Sequence, residues 1–176
     1  MVNLLFKLLI VFFKSKMPLY FKYYFVKEGC IRILTNVFLY YNLLFFLNKS
    51  TFFQTKSLTD CVVVDYPNKF FRFSVAYLLL SLNLNFRLIV SFCSAEIIPL
   101  ISTKLIFPSS NWLERESWDF YGIYFIFNND LRRIFTDYGF KGYPLRKDFP
   151  LYGFSELFYN QPSYSFFYVD VQINKI

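Results

Sequence analysis

The sequence predicts an α+β fold, with helices packed on one face of a mostly antiparallel sheet and an extended C-terminal arm. Three observations carry that expectation. Residues 69–93 alternate with the period of two that a strand requires, on both sides of a short Asn-Leu-Asn turn. Residues 109–122 carry the start and stop signals of a helix. Prolines at 144, 150 and 162 then forbid long regular elements near the C-terminus. With 176 residues, 56% of them hydrophobic, the chain has material for one well-filled core.

Taken in order, residues 1–35 form a basic and apolar N-terminal segment without a clear period. Its opening MVNLLFKLLIVFFKSK resembles a signal peptide or amphipathic anchor, but Lys7 interrupts it and no small-residue cleavage site follows. Residues 36–127 are expected to hold the α+β domain, starting with a helix over 36–48. The charge-free run Ile33 to Asn48 falls short of the ~20 apolar residues that span a membrane, and it contains Thr35, Asn36, Asn42 and Asn48. It is read as a core helix, and the chain as one without a transmembrane span.

DCVVVDYP, from Asp60, reads as a short buried strand ended by Pro67. In KFFRFSVAYLLLSL, Phe71, Phe73 and Val75 fall on one face and Arg72 and Ser74 on the other; the run then becomes apolar throughout, as a central strand does. Residues 83–85 turn the chain, and Phe86 to Cys93 returns as the second strand of a hairpin. A short helix is expected after Pro99, ended by Pro108.

SSNWLERESWDFYGI is expected to be a helix with Ser110 or Asn111 at its cap. Asn111 and Glu114 have capping-box spacing, Arg115 and Asp119 are placed to pair along the helix, Trp112 and Glu116 to lie side by side, and Gly122 to end it. IYFIF is a short strand. Residues 128–176 form a third segment. It begins with a second expected helix, NNDLRRIFTDYG, with Asn129 or Asp130 near its cap and Gly139 after its last turn. From Gly142 onward an extended, irregular arm on the surface is expected.

Composition excludes several chemistries. The 26 Phe and 15 Tyr accompany a lack of His and only two Ala, Ala76 and Ala95. Phe, Tyr, Ile, Leu, Asn and Lys share A/T-rich codons, so the aromatic excess reads as genomic base bias of an organellar kind. Without His there is no His general base, no Ser–His or Cys–His pair and no imidazole metal ligand. Cys30, Cys61 and Cys93 are far apart and contain no CxxC, which suits free thiols in a reducing compartment better than a zinc or iron–sulfur site. Neither GxxxxGK[ST] nor GxGxxG is present. The net charge of +7 resides in residues 1–56, where eight basic residues face the single acid Glu28. That segment favours an anionic neighbour: lipid headgroups, an acidic protein, or RNA, as in an organellar RNA- or ribosome-binding protein.

Three charged constellations remain. Glu114, Glu116 and Asp119 lie on the expected helix; Glu114 and Glu116 are two apart, point in different directions there and are poorly placed to share a proton. Arg132, Arg133 and Asp137 are followed by Lys141. Arg146, Lys147 and Asp148 stand between Pro144 and Pro150, a rigid setting that suits docking on a protein partner better than catalysis.

NWLERESWDFYGI and DLRRIFTDYGFKGYPLRKDFPLYGFSEL together resemble the signature of the 30 kDa-class family of respiratory NADH:quinone oxidoreductase, complex I. All of the charged residues just named except Lys141, together with Arg115, fall on the family pattern, as do Gly139, Gly142, Pro144, Pro150 and Gly153. A softer likeness covers residues 58–111. Asn128 and Asn129 stand where the family has His-Pro, and Tyr143 where it has His. The resemblance implies a subunit of the peripheral arm, on the matrix side of the mitochondrial inner membrane, that binds no cofactor and supplies no catalytic residue. It implies docking on the quinone-module subunit of the 49 kDa class and on neighbouring iron–sulfur subunits, with Glu114, Arg115, Glu116, Asp119, Arg132, Arg133, Asp137, Arg146, Lys147 and Asp148 at the interface. NADH, FMN, iron–sulfur clusters and ubiquinone then belong to the assembled complex, and no nucleic acid is expected.

Overall fold

The computed structural model describes residues 23–27 and 30–171, so the readings made on residues 1–22 lie outside the described residues. In chain order the elements are β1 (Tyr23–Lys27), β2 (Cys30–Leu34), α1 (Tyr40–Lys49), β3 (Ser57–Asp65), β4 (Phe73–Ser81), β5 (Phe86–Ser94), β6 (Leu100–Ile101), α2 (Ser110–Tyr121), β7 (Phe125–Ile126), β8 (Ser155–Asn160) and β9 (Ser165–Asp170). The class is α+β. The main sheet has the order β1-β2-β5-β4-β3 and is mixed, because β2 runs parallel to β5 while the other neighbours are antiparallel.

The β4–β5 hairpin forms as its alternation requires. Phe73, Val75, Tyr77 and Leu79 are buried on one face, and Asn85 takes the left-handed backbone that a tight turn needs. Phe71 lies outside the strand and is exposed. The strand expected at 60–67 starts at Ser57 and is only half buried: Cys61 and Val63 face the core, while Val62 and Val64 are exposed. As the last strand of a sheet covered on one side, it follows the two-residue alternation that a one-sided layer imposes.

Both helices cover the same face. On α1, Tyr40, Leu43, Leu44 and Leu47 are fully buried, and the Tyr40 ring stacks on Phe92 of β5 at 4.3 Å. On α2, Ser117 Oγ meets Cys61 Sγ of β3 at 3.9 Å, and Tyr121 sets an edge against Phe73 of β4. Each buried Leu or Phe in this layer contributes about 1.5–3 kcal/mol. Burial pushes the Cys61 thiol up to about 12, so it stays protonated.

The short helix expected after Pro99 is absent. Leu100–Ile101 is instead β6, paired in parallel with β7 on the far side of α2; Leu100 N–H donates to Tyr124 C=O and Ser102 N–H to Ile126 C=O, both at 2.8 Å. Eight residues between two prolines barely repay the cost of helix nucleation, whereas β7 offers ready ladder bonds. The resulting β6–α2–β7 unit places the loop after β6 beside the first turn of α2. The C-terminal region also differs from expectation. Residues 142–154 form turns, but 155–170 pair as an antiparallel hairpin, from Ser155 with Asp170 to Asn160 with Ser165. No helix among the described residues is long and apolar enough to cross a membrane.

Candidate functional site

The signature charges gather around α2. Asp119 projects from its last turn and is fully buried. Its Oδ2 accepts the backbone N–H groups of Ile134, Phe135 and Thr136 at 3.0, 2.7 and 3.0 Å; its Oδ1 accepts Thr136 Oγ1–H at 2.6 Å and Arg133 Nη1–H at 3.3 Å. Burial works against ionisation, but the Thr136 hydroxyl and the three N–H groups outweigh it and hold the carboxyl below the usual range. This is why the helix expected over 129–139 does not form. N–H groups 134–136, which a helix would direct to carbonyls four residues back, converge on one side-chain oxygen, making an anion nest. It also corrects the Arg115–Asp119 pair. Arg115 instead donates to Arg132 C=O at 3.1 Å, lies near Asp130 and stacks over Trp112 of the same helix.

Glu114, one turn earlier, is fully buried and does not close a capping box. The cap residue of α2 is Ser109, which makes no side-chain cap bond and donates to Leu58 C=O. Glu114 reaches the β6–α2 loop. Oε1 accepts Thr103 N–H and Oγ1–H at 2.7 and 2.9 Å; Oε2 accepts Ser102 Oγ–H at 2.6 Å and Asn128 Nδ2–H at 2.9 Å. Four donors take up the four acceptor positions of a carboxylate. Asn128, one of the departures from the family pattern, supplies one of them. Glu116 is half buried; burial and then the nearby Asp60 push its carboxyl upward.

A third cluster fixes residues 146–148 to the sheet. Arg72 grips Asp65 in a bidentate pair at 2.7 and 2.9 Å and reaches Asp148 at 2.9 Å and Glu96 at 3.3 Å. Asp65 also accepts Lys147 N–H at 2.8 Å. Arg72 first, with Lys147 N–H adding to it, holds the Asp65 carboxyl below its usual range against the effect of burial. Arg146 donates to Tyr121 C=O at 2.7 Å, pairs with Glu96, and lies over the Tyr143 and Phe73 rings at 4.5 and 5.4 Å. Tyr143, another of the departures, thus serves as a flat support for guanidinium groups, including Arg133 at 5.2 Å.

The geometry therefore divides nine of the ten signature residues, leaving Glu116 half buried on α2. Glu114, Arg115, Asp119, Arg133 and Arg146 are spent inside the chain, clamping segment 128–148 to α2 and the sheet. Arg132, Asp137, Lys147 and Asp148 keep much of their side chains in solvent, with Asp137 accepting Tyr168 O–H at 2.7 Å. Asp65, Arg72 and Glu96 were missed by sequence reasoning. They are distant in sequence from the signature, and only the Arg72 break in an apolar run hinted at a special role.

No group of three or more Cys, Asp or Glu able to hold a metal occurs among the described residues. Cys30 sits opposite Arg87 and Cys93 opposite Ser74, at opposite ends of β5 and so roughly 20 Å apart, while Cys61 points to the other face of the sheet. This thiol arrangement does not fit an iron–sulfur cluster. Of the three, Cys61 is buried, Cys30 partly buried and Cys93 exposed.

The α+β core and the signature charges gathered around α2 define a class of protein, and the comparisons say which. Residues 39–155 match the family described as "Respiratory-chain NADH dehydrogenase, 30 Kd subunit". The chain belongs to that family, and so to the hetero-oligomeric NADH dehydrogenase (ubiquinone) of the respiratory electron-transport chain. It is 45% identical to the "NADH-ubiquinone oxidoreductase subunit 9" of Acanthamoeba castellanii over 136 residues, 77% of this chain and 69% of that one. It is 47% identical to the "NADH dehydrogenase [ubiquinone] iron-sulfur protein 3" of Oryza sativa subsp. japonica over 131 residues, 74% of this chain and 69% of that one. The fold is shared with a chain of the membrane-bound sulfane sulfur reductase, an archaeal respiratory membrane complex, with a TM-score of 0.72, 21% identity and coverage of 82% and 85% of the two chains. None of these matches supports an RNA-binding role.

Proposed function

We propose that this mitochondrial chain is a cofactor-free structural subunit of complex I, which docks on the quinone-binding module from the matrix side and stabilises it. The partner is the 49 kDa-class subunit, with neighbouring iron–sulfur subunits alongside; NADH, FMN, the clusters and ubiquinone are held by other chains. One observation carries the reading. The buried charges clamp 128–148 onto the domain, and that clamp leaves Arg132, Asp137, Lys147 and Asp148 facing outward on a rigid frame. Pre-ordering of this kind lowers the entropy lost on docking.

The test compares two variants. Arg146→Ala removes a clamp, so it lowers the isolated chain's stability by about 2 kcal/mol and the amount of assembled complex with it. Arg132→Glu combined with Lys147→Glu changes only outward charges. It leaves the melting temperature of the isolated chain within a degree or two, lowers assembled complex on native gels, and leaves turnover per assembled complex near normal. Full assembly with abolished turnover in the double variant would make the surface catalytic and end the structural reading.

A further inference from the structure

The β8–β9 hairpin has no dry side. One face presents Leu157, Tyr159, Phe166 and Tyr168, which are 61%, 46%, 67% and 62% exposed. The other presents Phe158, Phe167 and Val169, which are 54%, 41% and 37% exposed. The pair forms a sheet of its own, unjoined to the main one. Among the described residues its ties to the body are few: Tyr168 O–H to Asp137 and an edge contact between the Phe149 and Phe154 rings, while Val171 N–H to Phe154 C=O at 3.1 Å extends the ribbon's own pairing. A lone two-stranded ribbon is marginal in water, and one with apolar side chains on both faces exceeds what a soluble surface ordinarily leaves open. One covering surface would leave the second face wet.

Charge narrows the choice of cover. In a chain of net charge +7, every charged side chain from Asp148 to Val171 is acidic: Asp148, Glu156 and Asp170. Glu156 and Asp170 stand at the open end of the ribbon on opposite faces, and Asp137 lies beside Tyr168 on the Asp170 face. Acids at that rim repel an anionic lipid surface, and in a second copy of this chain they would meet their own kind. A protein cleft with basic side chains at its mouth satisfies both requirements. These seven side chains are about half exposed, so at roughly 100 Å² each they offer about 700 Å² on the ribbon, and with the partner's matching surface the total passes about 1,000 Å², the size a specific interface needs.

Building on the docking reading above, we propose that the β8–β9 hairpin is inserted between two apolar walls of a partner subunit whose rim carries Lys or Arg, and is gripped on both faces. The test places the photo-crosslinker p-benzoylphenylalanine in place of Phe158 or of Tyr159, one on each face, in the full-length chain within the respiratory complex. Both substitutions keep an aromatic ring, so the fold is preserved. Both positions should crosslink to partner protein, at two different peptides. Glu156→Lys with Asp170→Lys should cut the chain's retention in the complex at least about fivefold. Crosslinks from one face only, to lipid, to a second copy, or none at all from a chain that is present in the complex would overturn the two-sided grip and leave the docking reading standing. Absence of the unmodified chain from the complex would overturn both.

Discussion

Asp119 shows how one side chain can replace an element. Its carboxylate takes three successive N–H groups, so Asp119→Asn, which keeps the shape but turns an acceptor into a donor, is expected to cost about 2–3 kcal/mol in the denaturant unfolding of the isolated chain. An unchanged midpoint would show that the loop holds without the nest. The pH dependence has a definite sign. Asp119 and Asp65 are both held below the usual carboxyl range, so their contribution is complete above the unfolded value near ~3.9 and is lost as pH falls through the folded values. Acid unfolding should steepen below about pH 4, and Asp119→Asn should flatten part of that slope. Glu114→Gln sets an amide NH2 against two of the four donors and should cost about 1–3 kcal/mol by thermal melting; a melt like that of the parent chain would refute the assignment of all four bonds to the carboxylate.

At the scale of elements, the end of α2 is where helix and arm meet. Gly122 has φ +73°, and its N–H donates to Trp118 C=O. A Cβ there would stand 2.6 Å from the Tyr143 ring and 2.8 Å from Arg146 Nη2. Gly122→Ala therefore adds a clash to backbone strain, for about 2–4 kcal/mol, whereas Gly139→Ala, at φ +76° in open space, pays only the strain, about 1 kcal/mol. Equal melting temperatures for the two would mean that the packing of Tyr143 and Arg146 against the helix end is unimportant. The helix itself was legible because its Gly122 stop is local. Its cap was not, because Ser109 and Glu114 are drawn away by Leu58 and by Ser102, Thr103 and Asn128.

At the scale of the molecule, cohesion is unevenly distributed. The five-stranded sheet and its two helices hold the continuous core, while the C-terminal ribbon hangs on a few bonds. Chymotrypsin acting on the isolated chain should therefore cut within 155–170 well before it enters 57–126, and the same bonds should be protected in the assembled complex. Early cleavage inside the main sheet would contradict this order of stabilities.

The sequence by itself determined what depends on neighbours along the chain. The alternation of Phe73 to Leu79, the turn at 83–85, the apolar face of α1 and the end of α2 at Gly122 follow from periodicity and backbone preference, and the signature residues carried the family. Tertiary structure decided what depends on partners far apart. Leu100–Ile101 became a strand because β7 lies beside it, residues 129–139 lost their helix to Asp119, and Arg72, Asp65 and Glu96 joined the arm's clamp across as many as 82 positions of sequence. Local propensity is worth a few tenths of a kcal/mol per residue, whereas a buried carboxylate deprived of its donors costs several, so wherever the two disagreed the buried charge prevailed.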